Sequence, residues 1–136
     1  MADAVGTVDV NISAAAVAER NGTVIGYYGA GNLADAFARN SGNAGATFTL
    51  LADVARTENL DIKINCTLDL SGHTIHFTGI AGLMISGGVT ATIQDQSQDH
   101  RGQVISDQNN ALVGENLILE GGIFTSHAEG GVGVKI

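Results

Sequence analysis

The stretch NCTLDLSGHTIHFTG, residues 65–79, decides the fold of this chain. Two short runs alternate apolar and polar residues on either side of a Ser-Gly pair, which is typical of a tight corner. Alternation places Cys66, Leu68 and Leu70 on one face of the first strand, and it places Asp69 on the opposite, solvated face. Each strand is too short to bury its apolar face alone. The stretch therefore predicts either a hairpin or one rung of a repeat.

Short apolar runs of the same kind follow from residue 47 to the end of the chain, and Gly, Asn, Asp or Ser bounds almost every one. The runs stack in threes, as CTLDL, HTIHF and GLMIS, then VTATI, GQVIS and NALVG, then NLILE, GIFTS and GVGVKI. TFTLLAD and LDIKI form a partial row above them. Row starts at Cys66, Val89 and Asn116 give spacings of about 23 and about 27 residues, within the period of solenoid coils.

This grid predicts an all-β fold, a parallel β-solenoid whose stacked rungs share one apolar column. The residues predicted to line that column are Cys66, Leu68, Leu70, Ile75, Ile85 and Ile93. An antiparallel sandwich is the alternative, since it also uses short strands with regularly spaced turns. The repetition by threes and the scarcity of two-residue hairpin dipeptides after residue 47 favour the solenoid.

The N-terminal segment, residues 1–30, has a different pattern. Residues 5–12 alternate apolar and polar side chains and predict a strand. Asn21 and Gly22 lie between two β-prone runs and predict a hairpin, because both residues tolerate the positive φ of its turn. We therefore predict a strand and hairpin segment over 1–30.

A short helix within GNLADAFARNSG begins the second segment, residues 31–136. Asn32 is placed to cap its first turn, and Leu33 and Phe37 share one apolar face. We predict that this helix caps the solenoid with those two side chains and that the coils follow it. The two segments together form a single domain.

The composition excludes several classes of partner. The net charge of −8 opposes binding to phosphate backbones and to anionic membranes, and no apolar stretch is long enough to insert in a bilayer. The single cysteine, Cys66, cannot form an intrachain disulfide, and its apolar neighbours predict a buried side chain rather than a reactive thiol. No metal site and no cofactor are predicted.

The phrases TFTLLADV, TLDLSGHTI and LEGGIF resemble right-handed parallel β-helix domains of the pectin-lyase-like superfamily. The sub-group that it most resembles occurs in surface proteins of gut bacteria and in fibre or spike proteins of phages. There a short helix similar to NLADAFA commonly precedes the first strand and caps the β-helix. The resemblance covers roughly residues 24–136, although such domains usually continue for more coils.

The resemblance implies a non-catalytic structural or interaction module outside the cytoplasm, in a phage virion as a fibre, spike or decoration protein, or on a bacterial cell surface. The start MADAVGTVDV lacks the regions of a secretory signal, which favours the virion unless a signal was removed. Phage proteins of similar fold are often trimers, so a homotrimer is the first expectation. Further parent chain at the open end, or contact with surface glycans, is also expected.

The same superfamily contains polysaccharide lyases and hydrolases, so a fragment of such an enzyme, or a glycan-binding module, is the alternative function. Lyases of this fold use Ca²⁺-binding carboxylates and a base, and hydrolases use paired carboxylic acids. The densest polar cluster is QDQSQDHRG, residues 94–102. Its candidates for glycan or cation contact are Asp95, Asp99, His100 and Arg101. A polar corner without chemistry is the preferred interpretation, and no catalytic residue is predicted.

Overall fold

The computed structural model describes residues 14–136, so the strand predicted over 5–12 lies outside the described residues. A hairpin, a 3-10 turn at Ala30–Asn32 and a short helix precede the coils. The elements are β1 (Ala16–Arg20), β2 (Thr23–Tyr28), α1 (Leu33–Arg39), β3 (Ala46–Leu50), β4 (Val54–Arg56), β5 (Leu60–Ile62), β6 (Cys66–Asp69), β7 (Thr74–Phe77), β8 (Leu83–Ile85), β9 (Thr90–Gln94), β10 (Gln103–Ser106), β11 (Leu112–Val113), β12 (Asn116–Leu119), β13 (Ile123–Ser126) and β14 (Val134–Lys135).

The strands from β3 onward form four coils of three strands, which we call coil 1 (β3–β5), coil 2 (β6–β8), coil 3 (β9–β11) and coil 4 (β12–β14). Equivalent strands of successive coils pair in parallel and build three sheets, in the orders β12-β9-β6-β3-β1-β2, β13-β10-β7-β4 and β14-β11-β8-β5. The predicted parallel β-solenoid is confirmed, and the antiparallel sandwich is wrong. The first row, which the sequence pattern predicted as partial, is a complete coil. The pattern missed its middle strand, β4.

The register between coils differs from the predicted row starts. Cys66 lies opposite Ala91, and Ala91 lies opposite Leu117, so the rows do not begin together at Val89 and Asn116. The starts were misplaced because the corners between strands differ in length from coil to coil. The inward alternation is unaffected by this error, since Cys66 and Ala91 both point into the interior.

Apolar side chains from all three sheets fill the interior. Phe48, Leu68 and Ile93 are in register on β3, β6 and β9, and all three are buried. The six residues expected to line the interior are all buried, namely Cys66, Leu68, Leu70, Ile75, Ile85 and Ile93. This shared column is what holds strands of only a few residues in place.

The first coil is covered at its open end by the hairpin and the helix. Strand β1 pairs antiparallel with both β2 and β3, which extends the first sheet past coil 1. Asn21 (φ 55°) and Gly22 (φ 79°) form the turn with positive φ that the sequence predicted. Leu33 and Phe37 of α1 are buried, and the centroids of the Phe37 and Phe48 rings are 4.5 Å apart.

Asn32 does not cap the helix as predicted. Its side chain makes no capping hydrogen bond, and its backbone (φ −110°, ψ 6°) is not in the extended region of an N-cap residue. The reason is the preceding 3-10 turn, which continues directly into α1. Packing of its apolar face therefore holds this short helix. Among residues 14–136, no helix is both long and apolar enough to cross a membrane.

Side-chain oxygens at the corners tie each coil to the next. Asn59 accepts a hydrogen bond from the Gly82 backbone N–H at 3.0 Å, and Asn65 accepts one from Thr90 at 2.8 Å. Asn110 accepts the Val132 N–H in the same way at 2.9 Å. Polar residues of the corners thus serve as coil-to-coil hydrogen-bond acceptors.

Candidate polar site at the 94–102 corner

Asp95 lies at the corner that follows β9, where the residue is only 6% exposed. Oδ2 accepts the backbone N–H of Gly102 at 2.7 Å. Oδ1 accepts the N–H of Gly72 in the corner of coil 2 at 2.9 Å, and both the N–H (3.2 Å) and the hydroxyl (2.6 Å) of Ser97. The carboxylate therefore holds its own turn closed and joins this turn to coil 2.

These contacts determine the protonation state of Asp95. Burial penalises the charged form and raises the pKa, but the hydrogen bonds from Ser97, Gly102 and Gly72 outweigh burial, so the pKa lies below its ordinary value of 3.8. The carboxyl group is therefore ionised at neutral pH. A group with a lowered pKa and little exposure is poorly suited to act as a general acid.

The other three residues of the predicted cluster are exposed on the same corner. Arg101 Nε lies 3.7 Å from Asp99 Oδ2, and His100 adopts a positive φ of 52°. None of the donors that bind Asp95 belongs to Asp99, His100 or Arg101. The corner is thus divided into one buried structural carboxylate and three solvated side chains.

Asp69 holds the equivalent corner of coil 2, and its predicted solvated position is wrong. The side chain is buried and accepts the N–H groups of Ser71 (2.9 Å) and Gln96 (3.1 Å), together with Gln94 Nε2 at 3.3 Å. Burial arises because the corner of coil 3 folds over the carboxylate. The sequence does carry a signal for both corners, since Asp69 and Asp95 each begin an Asp-x-Ser triplet of the Asx-turn type.

A second polar cluster, which the sequence reasoning missed, spans coils 2 to 4 on the second sheet. Asp107 Oδ1 lies 2.9 Å from His76 Nε2 and 3.3 Å from His127 Nδ1. The hydrogen bond from His76 is the main reason that the pKa of Asp107 is lowered, and His127 adds to it. No local motif could reveal this trio, because its members come from three different coils.

His73 and Asp53 form a similar contact between coils 1 and 2. His73 Nδ1 lies 3.3 Å from Asp53 Oδ1, and the same oxygen accepts the Thr74 backbone N–H at 2.9 Å. Within residues 14–136, no three or more His, Cys, Asp or Glu side chains are arranged to hold a metal ion. Both sets of His–Asp contacts join side chains of different coils.

A shallow cleft of about 180 Å³ lies beside the 3-10 turn at the top of the second sheet. The Arg56 guanidinium in its wall donates to the backbone carbonyls of Glu58 (3.3 Å) and Asn59 (2.9 Å). These two hydrogen bonds occupy some of its N–H donors. The lining residues are Ala30, Gly31, Ala55, Arg56, Thr57 and Glu58. A cleft this small is below the usual size of a ligand pocket.

Comparisons of this chain with protein families, with curated proteins and with solved structures give no match. The parallel β-solenoid thus rests on the structure itself. The resemblance to pectin-lyase-like domains of gut-bacterial surface proteins and phage fibres remains a sequence-based hypothesis.

Proposed function

We propose that this chain is a non-catalytic structural or interaction module, a β-solenoid segment of a phage fibre, spike or decoration protein or of a bacterial cell-surface protein. The observation that carries the proposal is the position of Asp95. The most buried carboxylate of the candidate cluster has both oxygens bound to donors of corners in coils 2 and 3. Its role is to hold the solenoid together.

Catalysis at this corner would need its carboxyl groups to be accessible and paired across a substrate. An acid or base must reach the proton that it transfers, and paired carboxylic acids must flank the substrate bond. Asp99 is the carboxylate of the cluster that faces solvent, and it forms an ion pair with Arg101 on the same turn. A scaffold role accounts for both carboxylates without a substrate. The fold by itself is no evidence that the chain acts on one.

The proposed location outside the cytoplasm, on a virion or a bacterial surface, is supported by the resemblance of TFTLLADV, TLDLSGHTI and LEGGIF. The net charge of −8 agrees with a particle or cell-surface role in which nucleic acid is not the partner. Protein mass spectrometry on purified virions and on cell-wall fractions of the source would test this part. Recovery only from the cytosolic fraction would contradict it.

The test of the non-catalytic role is a polysaccharide panel. The chain is incubated with acidic and neutral polysaccharides, with and without Ca²⁺, and release of reducing ends and of unsaturated uronides is followed. We expect no turnover. Turnover that is lost in Asp99→Asn, in a variant whose circular dichroism shows that it is folded, would instead establish a polysaccharide-degrading enzyme.

A glycan array, used beside the polysaccharide panel, tests the alternative that the chain binds glycans without cleaving them. Asp99, His100 and Arg101 are the exposed polar group of the candidate corner, so a bound sugar would contact them first. Arg101→Ala tests this on a glycan array beside the wild type, with Lys63→Ala as an exposed cation control on coil 1. Binding without turnover that only Arg101→Ala abolishes would identify a glycan-binding module.

A further inference from the structure

Three of the four histidines of this chain lie along the second sheet, and each contacts a carboxylate that belongs to a neighbouring coil. His73 of coil 2 contacts Asp53 of coil 1, whereas His76 of coil 2 and His127 of coil 4 both contact Asp107 of coil 3. The distances from ring nitrogen to carboxylate oxygen lie between 2.9 and 3.3 Å. Every junction between successive coils thus has one histidine–carboxylate contact.

The contacts with Asp107 converge on a single oxygen atom. Its Oδ1 faces Nε2 of His76 on one side and Nδ1 of His127 on the other. A neutral imidazole donates from only one of its two nitrogens, whereas an imidazolium donates from both. Protonation therefore makes each ring a donor to Oδ1 whichever tautomer it had before.

The carboxylate remains charged while the rings take up protons. The pKa of Asp107 lies below its ordinary value of 3.8, chiefly because of the hydrogen bond with His76. An unperturbed imidazole takes up its proton near a pH of about 6.5, well above that range. In the pH range in which histidine titrates, an imidazolium in either position therefore faces a negative charge.

Few other charges lie near these three side chains. Among residues 14–136, the ion pairs of Asp107 are those with His76 and His127. The residues beside His76 on the adjacent strands, Ala55 and Ile105, are uncharged. The other charged side chains at this carboxyl-terminal end of the sheet are bound to backbone carbonyls or exposed to solvent, namely Arg56, Glu58 and Glu129. Asp107 is thus the carboxylate that an added proton on either ring meets.

We propose that His76, Asp107 and His127 form a proton-dependent link between coils 2, 3 and 4 that stabilises the solenoid at mildly acidic pH. The two histidines are 31 and 20 residues from Asp107 along the chain, so unfolding separates the three groups. An imidazolium is then favoured more in the folded chain than in the unfolded chain. Stability should therefore rise as pH falls through the range in which histidine takes up its proton.

Asp107 sets the lower limit of this effect. Because its pKa is lowered in the folded chain, its stabilisation is present above the ordinary value of 3.8 and is lost as pH falls below that value. The link should therefore be strongest between about pH 4 and about pH 6. The contact of His73 with Asp53 should contribute less, since the Asp53 side chain is 75% exposed.

Urea unfolding at about pH 5 and about pH 7.5 tests the proposal, because these values lie on either side of the histidine range. Lower pH also reduces the repulsion within a chain of net charge −8, so the wild type is compared with Asp107→Asn, which shares that change. Between the two pH values, the unfolding equilibrium constant should fall by about three- to tenfold more in the wild type, since the pairs are partly exposed. His100→Asn is the matched control, because His100 is exposed and Asn tolerates its positive φ. It should keep the pH dependence of the wild type.

A double-mutant cycle separates a proton-dependent link from a contact that only fills space. His76→Gln, Asp107→Asn and the double variant are unfolded at both pH values, and the coupling between the two sites should be larger at the lower one. A coupling that does not change with pH, or an Asp107→Asn variant with the pH dependence of the wild type, would overturn the proposal. The inference goes beyond the proposed function and does not depend on it, because polysaccharide turnover would leave these stabilities unchanged.

Discussion

Asp95 and Gly102 close one corner of coil 3 by a 2.7 Å hydrogen bond from the Gly102 N–H to Asp95 Oδ2. Glycine is required there, because a Cβ on Gly102 would lie 2.6 Å from Leu70 Cβ and 2.8 Å from Asp95 Cγ. The backbone approaches both the carboxylate and the interior more closely than any side chain permits. The corner thus depends on this pair rather than on the exposed residues between them.

Asp95→Asn should destabilise the fold although it preserves the shape of the side chain. The amide supplies one neutral acceptor in place of two charged oxygens, and its NH₂ group cannot accept from a backbone N–H. We expect a loss of about 2–3 kcal/mol in the free energy of unfolding, measured in urea at neutral pH. Asp99→Asn, on the exposed part of the same corner, should change it by less than about 0.5 kcal/mol. Equal losses in the two variants would contradict the structural role of Asp95.

The same carboxylate predicts an acid dependence of stability. The pKa of Asp95 is lower in the folded chain than its ordinary value of 3.8, so the unfolded chain binds the proton first as pH falls. Its stabilisation is complete above the ordinary value and is lost as pH falls below it. The difference in unfolding free energy between wild type and Asp95→Asn should therefore be smaller at about pH 3 than at about pH 7. A difference that stays constant over this range would show that ionisation of Asp95 has no part in it.

The features that the sequence predicts correctly are local ones. The alternation of Cys66, Leu68 and Leu70 determines which side chains enter the interior, because side chains of a strand point to opposite faces in turn. Asn21 and Gly22 specify the hairpin, because few residue pairs accept its turn geometry. Both signals lie within a few residues, so they can be read without knowing which strands pair.

The features that were missed depend on contacts between coils. Strand β4 (Val54–Arg56) has only three residues, and its pairing with β7 defines it better than its own pattern does. The position of Asp107 between His76 and His127 depends on the register of three coils. The lengths of the corners set that register, and the residue pattern within the strands gives no information about the register.

Leu68→Ala tests the shared apolar column. Leu68 is buried between Phe48 and Ile93 of the neighbouring coils, so its truncation leaves a cavity that short strands in fixed register cannot close. We expect a loss of about 2–5 kcal/mol in the free energy of unfolding. Leu51→Ala is the control with the same chemistry at an exposed position, and it should cost less than about 1 kcal/mol. A nearly neutral Leu68→Ala would be incompatible with the column.

Cys66 should be unreactive for as long as the chain stays folded. Its side chain is buried in coil 2, and burial raises the pKa of the thiol to about 12 because the thiolate loses hydration. Thiolate is the species that reacts with iodoacetamide, and an unperturbed thiol has a pKa of about 8.5. Labelling at neutral pH should therefore be slower in buffer than in urea by a factor on the order of a thousand.

A matched variant separates burial from intrinsic chemistry. Leu51→Cys in a Cys66→Ala background places the thiol at an exposed position of the same fold, and this thiol should be labelled in buffer nearly as fast as in urea. Labelling of Cys66 in buffer then reports opening of the solenoid, since coil 2 must separate from its neighbours before the reagent can reach the sulfur. Wild-type labelling in buffer as fast as that of the variant would mean that coil 2 is not closed around Cys66.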